Sequence, residues 1–241
     1  MKDPFGKALY DYWKGDHKTP HIIRRDDGFV DEDSSKDYFR KYGQFPDIEK
    51  DLLKFVKGKI LDIGCGAGRH VLYLQKRGFD IVGVDSSPLA VKVCKERGCK
   101  DVQVTDIFKP KFKPKSFDAI LLFGNNIGLG GTLDGAKKLL RICRKLTKDN
   151  GILLLTTTDV KITKEKVHKR YYRRNKRLGR YIGIVKFRIE YKDIIGNWFN
   201  WIHLEEHVLR RLASESGWKI DKIFKGESEQ YAAVLRAKVL R

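Results

Sequence analysis

The chain has 241 residues and a mass of 28.0 kDa, a size that suits one α/β domain with or without a sizeable appendage. Hydrophobic residues make up 41% and aromatic residues 11% of the chain, which excludes a disordered protein, and no apolar run approaches the length of a membrane helix. Fifty-one Lys and Arg against 31 Asp and Glu give a net charge of +20, which either attracts polyanions or reflects the dense surface charge typical of thermophile proteins.

The first residues of the chain and the positions of its cysteines bear on the cellular compartment of the protein. The N-terminus, Met1-Lys2-Asp3-Pro4, has no apolar signal segment. Cys65, Cys94, Cys99 and Cys143 form neither a C-x-x-C pair nor a disulfide pattern. We therefore expect a cytoplasmic protein with reduced cysteines and no membrane association.

Predicted helices and strands alternate along the first two thirds of the chain. Residues 35–57 are predicted to be helical, with a break near Gly43 to Pro46. Five apolar strands are predicted at 59–63, 79–84, 101–105, 117–123 and 152–157, and further helices at 68–77, 88–98 and 133–148. Strands that are apolar on both faces and alternate with helices predict a parallel sheet covered on both sides.

The pattern changes after residue 158. Two strands, 181–192 and 197–204, are predicted to form a hairpin around Gly196-Asn197. A helix over 204–216 then precedes two last strands, 218–225 and 230–239, which turn at Gly226. The chain is therefore expected to end in a strand pair beside the parallel sheet.

Positive charge is concentrated in residues 161–180. This stretch holds ten Lys or Arg against Glu165 alone, a local net charge of +9. Tyrosines are interleaved with the basic residues, a mixture that suits phosphate contact and base stacking, although a solvated helix face explains it as well.

A glycine-rich segment, Asp62-Ile63-Gly64-Cys65-Gly66-Ala67-Gly68, joins the first strand of the predicted sheet to the helix after it. Glycines at these positions let the backbone turn tightly and approach a ligand that a Cβ atom would block. The segment is not a P-loop, because no Gly-Lys-Ser/Thr follows. Its spacing also differs from the dinucleotide form G-x-G-x-x-G.

Two acids follow the next two predicted strands. Asp85 comes 21 residues after Gly64, where a carboxylate accepts both ribose hydroxyls in nucleotide-binding folds. Asp106 follows the third strand, within reach of an adenine amino group. Either acid alone is explained by a helix cap or a turn, but their coincidence with the glycine loop predicts a nucleotide cofactor.

Four segments together resemble the motifs of class I S-adenosylmethionine-dependent methyltransferases. They are Asp62 to Gly68, Val84-Asp85, Thr105-Asp106-Ile107 and Phe117-Asp118-Ala119-Ile120. The resemblance covers residues 45–158 and the closing elements at 204–239. It implies a Rossmann-like α/β fold, a seven-stranded and mostly parallel sheet with helices on both faces. The last strand would be antiparallel and inserted beside the fifth.

The resemblance also implies roles for individual residues toward S-adenosyl-L-methionine, whose product is S-adenosyl-L-homocysteine. Asp62 and the loop backbone would hold the methionine moiety, Asp85 and Ser86 the ribose, and Asp106 and Ile107 the adenine. Phe123 and Gly124 would lie near the transferable methyl group. The implied cofactor-binding residues are Asp62, Gly64, Cys65, Gly66, Gly68, Asp85, Ser86, Asp106, Ile107, Phe123 and Gly124.

One departure from the family bears on the methyl acceptor. The fourth strand ends in Phe123-Gly124-Asn125-Asn126, not in the D/N-P-P-Y/F sequence of enzymes that methylate base amines. This sequence disfavours an exocyclic base amine as the acceptor.

The expected organisation is an N-terminal lid segment, 1–44, and a methyltransferase domain, 45–241. An insertion at 159–204 is expected to form a basic lid on the acceptor side. Tyr10, Tyr12, Trp13 and His17 either pack or close over the cofactor. The acceptor-binding candidates are Arg173, Arg174, Lys176 and Arg177.

Methyl transfer needs alignment and exclusion of water more than a reactive side chain. Asn125 and Asn126 are candidates to orient the acceptor, and Asp159 to move a proton. His203 and His207 lack the H-E-x-x-H order of a zinc helix, so no metal site is expected.

Three functions remain open at this point. A small-molecule methyltransferase is favoured, because no separate RNA-binding module is evident. A tRNA or rRNA methyltransferase that uses residues 161–180 is the alternative. The third is a protein that binds the cofactor without turnover, and aminopropyl transfer on a similar fold is a related outsider.

Overall fold

The computed structural model describes residues 2–238. Its helices are α1 (Pro4–Trp13), α2 (Asp47–Leu53), α3 (Arg69–Lys76), α4 (Pro88–Glu96), α5 (Leu133–Leu146), α6 (Lys166–Arg177) and α7 (Glu206–Glu215). Its strands are β1 (His21–Arg25), β2 (Val30–Asp33), β3 (Lys59–Ile63), β4 (Asp80–Asp85), β5 (Val102–Val104), β6 (Phe117–Leu122), β7 (Thr147–Thr158), β8 (Ile184–Tyr191), β9 (Ile194–Ile195), β10 (Phe199–Ile202), β11 (Trp218–Lys225) and β12 (Gln230–Ala237).

A seven-stranded sheet has the order β11-β12-β7-β6-β3-β4-β5. β4 and β5 are parallel, as are β6 and β7. β12 is antiparallel both to β7 and to β11. The predicted mostly parallel sheet, with its last strand inserted antiparallel beside the fifth, is confirmed.

The chain divides into two compact units. The first unit comprises the residues up to Phe45, Leu61–Pro110 and Lys186–Phe199. In it, β1 is antiparallel to β2 and to β8, so the N-terminal segment and part of the predicted insertion share a second, smaller sheet. Helix α1 packs along α4, where Leu9 joins the buried cluster of Ala90 and Val93.

The second unit comprises Pro46–Ile60, Lys111–Val185 and the residues from Asn200 onward. Helix α2 packs against β11 and β12, α5 against β7, and α7 against β11. Trp218 is fully buried, and its Nε1 donates to the Leu140 carbonyl at 2.9 Å, which ties β11 to α5.

The structure corrects three predicted boundaries. Residues 35–57 form two short 3₁₀ turns, Ser35–Phe39 and Tyr42–Gln44, followed by α2. The continuous helix is interrupted before α2 because Pro46 restricts the residue before it to extended backbone. Helix α5 ends at Leu146 instead of residue 148, because strand β7 begins at Thr147. The expected helix end, Asn150-Gly151, lies in β7, where the pairing of β7 with β6 is irregular.

The third correction concerns the hairpin predicted around Gly196-Asn197. The chain reverses at Lys192, whose φ is +51°, and Glu190 pairs with Ile195. The Lys192 ammonium lies 2.8 Å from the Asp11 carboxylate and 3.0 Å from that of Asp16. These long-range ion pairs hold the side chain of the turn residue, and a local pattern does not contain them.

Several elements were not predicted. These are helices α1 and α6 and strands β1 and β2. Within residues 2–238, no helix combines the length and the apolar character that crossing a bilayer requires.

Candidate cofactor and acceptor sites

The glycine-rich loop connects β3 to α3 in the first unit. Gly64, Gly66 and Gly68 have φ angles of +72°, +54° and +78°, a region that glycine adopts without steric cost. The N–H groups of Gly64 and Cys65 donate to the Val84 carbonyl at 2.8 and 3.0 Å. The loop thus leads directly into the N-terminus of α3, where backbone N–H groups stabilise negative charge.

Buried cysteines fill the space beneath this loop. A Cβ atom on Gly68 would lie 2.6 Å from the Cys99 sulfur and 2.9 Å from the Cys94 sulfur. The Cys94 thiol donates to the Gly66 carbonyl at 3.1 Å. All four cysteines are free and buried.

Asp85 is the last residue of β4 and lies against the loop. Its two carboxylate oxygens accept the N–H groups of Gly66 and Ser87, each at 2.9 Å. Burial raises the pKa of the Asp85 carboxyl, and the two N–H donors oppose that rise. A carboxylate has about four lone-pair positions, so Asp85 keeps capacity for further hydrogen bonds.

Asp106 lies beside Asp85. The Thr105 N–H donates to the Asp85 carbonyl at 2.9 Å, so the next residue, Asp106, follows the end of the paired strands. Asp106 is exposed and its Oδ1 accepts the Phe108 N–H at 2.9 Å, while Ile107 is buried. The structure therefore brings the two predicted acids to one edge of the first unit.

The other predicted residues of the first unit frame this edge. Asp62 is almost fully buried near the end of β3, and Ser86 is exposed directly after β4. Ser87 caps α4, its hydroxyl accepting the Ala90 N–H at 2.9 Å and donating to the Asp3 carboxylate at 2.6 Å.

Tyr38 is a neighbour of the loop that the sequence did not indicate. Its ring would lie 3.2 Å from a Cβ atom on Gly66. Of the aromatic residues expected to pack or to close over the cofactor, Tyr10 packs on the buried cluster of α1 and α4, and Trp13 donates to Glu96 at 2.8 Å. Only contacts distant in sequence place Tyr38 here, so its sequence context carried no signal.

Two predicted cofactor residues, Phe123 and Gly124, and the acceptor-orienting candidate Asn125 follow β6 in the second unit. Phe123 is buried, and the next two residues, Gly124 and Asn125, both have a φ of +63°. Asn125 is held in this uncommon conformation by two threonines of β7, because its N–H donates to the Thr156 hydroxyl at 3.3 Å and its Oδ1 accepts the Thr158 hydroxyl at 3.2 Å. Strain maintained in this way is a feature of functional sites.

The loop after Asn125 is closely packed. Asn126 begins a 3₁₀ turn, Asn126–Gly130, and a Cβ atom on Gly128 would lie 1.9 Å from the Trp201 indole nitrogen. Asp159 follows β7, and its carboxylate accepts the Lys161 N–H at 3.0 Å as the cap of a short 3₁₀ turn.

A buried polar group lies near the end of β7. Glu205 is buried and its carboxylate lies 2.8 Å from the Lys161 ammonium. The Glu205 N–H donates to the Tyr181 hydroxyl at 3.2 Å, and burial raises the pKa of Tyr181. Tyr181 was counted among the aromatic residues interleaved with the basic run, but its contact with Glu205 was not predicted, because the two residues are 24 positions apart.

His203 gives a testable pH dependence. Burial, and secondarily the charge of His168, lower its pKa from 6.5 to about 4, so the folded protein holds His203 neutral. The unfolded chain gains a proton below pH 6.5 that the folded protein does not gain until about pH 4. We expect wild-type protein to lose about 2 kcal/mol more unfolding free energy than His203→Asn between pH 7 and pH 4.5. Urea unfolding at pH 7 and pH 4.5 measures it, and parallel losses in the two proteins would contradict it.

The acceptor-binding candidates all lie on or near α6 but differ in surroundings. Arg173 borders a cavity, whereas the Arg174 guanidinium lies over the Tyr171 ring, 5.8 Å from its centre. Lys176 and Arg177 are exposed in the last turn. The structure therefore does not gather the four cations at one point.

The glycine loop, the acids at the ends of neighbouring strands and the antiparallel last strand define a Rossmann-like nucleotide-cofactor fold. The sequence profile of a family described as "Methyltransferase domain" matches residues 61–155. A crystal structure of an S-adenosylmethionine-dependent methyltransferase from Bacteroides fragilis, in complex with S-adenosyl-L-homocysteine, is similar over 99% of this chain and 96% of its own, with 31% identity and a TM-score of 0.85. The chain belongs to the class I S-adenosylmethionine-dependent methyltransferases, enzymes that take S-adenosylmethionine as methyl donor.

Two curated sequences are similar over a smaller part of the chain. A glycine/sarcosine N-methyltransferase of Aphanothece halophytica is 26% identical over 67% of this chain and 66% of its own length. An uncharacterized protein of Methanocaldococcus jannaschii is 36% identical over 42% of this chain, which spans 37% of that protein's length.

Proposed function

We propose that the chain transfers the methyl group of S-adenosylmethionine to a small-molecule acceptor by in-line displacement. The observation that carries the choice of acceptor is a cavity of about 280 Å³ in the second unit, open to the surface and lined in part by Val160 and Lys161 just after β7. Class I folds bind their ligands beyond the carboxyl ends of the strands, and a cavity of this size suits part of a metabolite. The similar glycine/sarcosine N-methyltransferase supports a small acceptor.

The residues of the first unit fit the donor. Asp85 would accept the ribose hydroxyls on its remaining lone pairs, and the exposed Asp106 carboxylate suits an adenine amino group. Asp62 would face the methionine ammonium, and the Cβ-free loop at Gly64 and Gly66 would allow close backbone approach. When bound, S-adenosylmethionine supplies an electrophilic methyl group on a sulfonium.

The residues after β6 are suited to orienting an acceptor. Thr156 and Thr158 fix the Asn125 backbone and side chain, so the chain approaches the acceptor in one conformation. Buried Phe123 would exclude water from the transfer path. Asp159 already caps a turn, and moving a proton would be its second role.

An RNA acceptor is the second candidate, favoured by the exposed basic side chains of α6. If RNA lies along this helix, neutralising Arg173, Arg174, Lys176 and Arg177 should flatten the dependence of RNA affinity on salt concentration, because fewer counterions are released. Titration of bulk tRNA at several salt concentrations measures the slope. An unchanged slope would remove the helix as an RNA surface.

Calorimetric titration with S-adenosylmethionine and S-adenosylhomocysteine, with and without bulk tRNA at two salt concentrations, tests the proposal. We expect saturable binding of both cofactors that tRNA does not alter. Incubation with pooled metabolites should then release S-adenosylhomocysteine. Cofactor binding without turnover in any pool would favour the non-catalytic alternative, and salt-sensitive tRNA binding would favour RNA.

A further inference from the structure

The cavity in the second unit has a defined polarity. It has a volume of about 280 Å³ and is lined by Val160, Lys161, Lys169, Tyr172, Arg173 and Ile182. Three of these six side chains are basic and none is acidic. Two aliphatic side chains and one aromatic ring complete the wall, so the cavity presents both a cationic and an apolar surface.

The three cations are not equivalent. Lys161 is paired with the buried Glu205 carboxylate at 2.8 Å, which neutralises its charge within the protein. Lys169 and Arg173 are exposed and lie four residues apart on α6, hence on one face of the helix. Within residues 2–238, neither side chain forms an ion pair. The cavity therefore carries two uncompensated positive charges.

We propose that this cavity binds the phosphate group of a phosphorylated small molecule, with Lys169 and Arg173 as its cationic ligands. A phosphate monoester carries close to two negative charges at neutral pH, which matches the two cations. The Arg173 guanidinium can bind two phosphate oxygens at once, and the Lys169 ammonium acts as a point charge. Tyr172 offers a ring face to the group that bears the phosphate.

This inference rests on the proposed function, because it identifies the class of methyl acceptor. Val160 and Lys161 follow the carboxyl end of β7, so a phosphate held here is anchored on the acceptor side of the second unit. Lys169 and Arg173 thus take the place of the four predicted acceptor-binding residues, which do not lie together in the structure. Lys169 was not among the predicted candidates, since in sequence it is one of ten similar residues.

The chain offers a matched control for a test. Lys169→Gln/Arg173→Gln removes one lysine and one arginine four residues apart on α6. Lys166→Gln/Arg170→Gln removes the same charges at the same spacing on the same helix, from exposed residues that do not line the cavity. Both variants carry the same net charge, so nonspecific attraction of anions falls equally in both.

Inorganic pyrophosphate is the probe, titrated calorimetrically into the full chain with S-adenosylhomocysteine present. We expect saturable one-to-one binding that weakens about tenfold or more in Lys169→Gln/Arg173→Gln and less than about twofold in the control. Equal weakening in both variants, or no saturable binding to the wild-type protein, would overturn the proposal. Displacement of pyrophosphate by tRNA, with equal loss of tRNA binding in both variants, would instead assign the helix to RNA.

The same samples separate this inference from the proposed function. S-adenosylhomocysteine binding involves the first unit and should be unchanged in both variants. If the wild-type protein binds the cofactor but not pyrophosphate, only the phosphate site fails. If it binds pyrophosphate but not the cofactor, the phosphate site stands as a binding site and the methyl-transfer proposal fails.

Discussion

Replacing Asp85 by alanine is expected to weaken S-adenosylhomocysteine binding by about two orders of magnitude. In the proposed role Asp85 accepts two ribose hydrogen bonds, and each hydrogen bond to a charged group contributes on the order of 1.5–3 kcal/mol. The change also releases the N–H groups of Gly66 and Ser87, which Asp85 now holds at 2.9 Å. The loop that faces the cofactor would therefore lose a support. Calorimetric titration measures the change in affinity.

Asp80→Ala is the matched control, because Asp80 is an exposed residue at the opposite end of the same strand. It should bind the cofactor as the wild-type protein does. Asp85→Asn retains one acceptor oxygen and should fall between the two. If Asp85→Ala binds S-adenosylhomocysteine as tightly as Asp80→Ala, the ribose role of Asp85 is wrong.

Replacing Gly68 by alanine should destabilise the protein by about 2–5 kcal/mol. A non-glycine residue at a φ of +78° costs roughly 1–2 kcal/mol, and the new methyl group would also overlap the buried sulfurs of Cys94 and Cys99. Because these cysteines lie beneath the glycine loop, cofactor affinity should fall as well. Urea unfolding and calorimetric titration measure the two effects.

Gly78→Ala separates the two causes. Gly78 has nearly the same φ, +82°, but no atom of its surroundings lies within 4 Å of the position that a Cβ atom would take. It should lose only the conformational part, about 1–2 kcal/mol, and keep its cofactor affinity. Equal losses of stability in the two variants would show that the packing of the cysteines beneath the loop is unimportant.

The central sheet was predictable because its signals are local. Strands β3, β4 and β6 and the second half of β7 are largely apolar and buried, the composition that buried parallel strands require. The glycine loop and the acids after β4 and β5 were predictable for the same reason, since spacing along the chain fixes which strand end each residue occupies.

The smaller sheet and the acceptor side were not predictable in this way. Strand β2 reads Val-Asp-Glu-Asp and has no apolar face, yet it pairs with β1 because the partner strand supplies its backbone hydrogen bonds. The turn at Lys192 depends on Asp11 and Asp16, more than 170 residues earlier in the chain. Hydrophobic periodicity indicates only whether a segment buries its own side chains. It does not predict these elements, because they form through contacts with residues distant in sequence.

The sequence by itself determined the parallel strands, the glycine loop and the acids at the strand ends, because glycine conformation and strand spacing are properties of short segments. Only the tertiary structure decided which cations of the basic segment share a cavity and which are neutralised. Lys161 and Lys169 are chemically identical in the sequence, but folding places a buried Glu205 carboxylate 2.8 Å from Lys161 and leaves Lys169 beside the cavity with Arg173. Charge compensation depends on distance in space, and for these residues distance along the chain carries no such information.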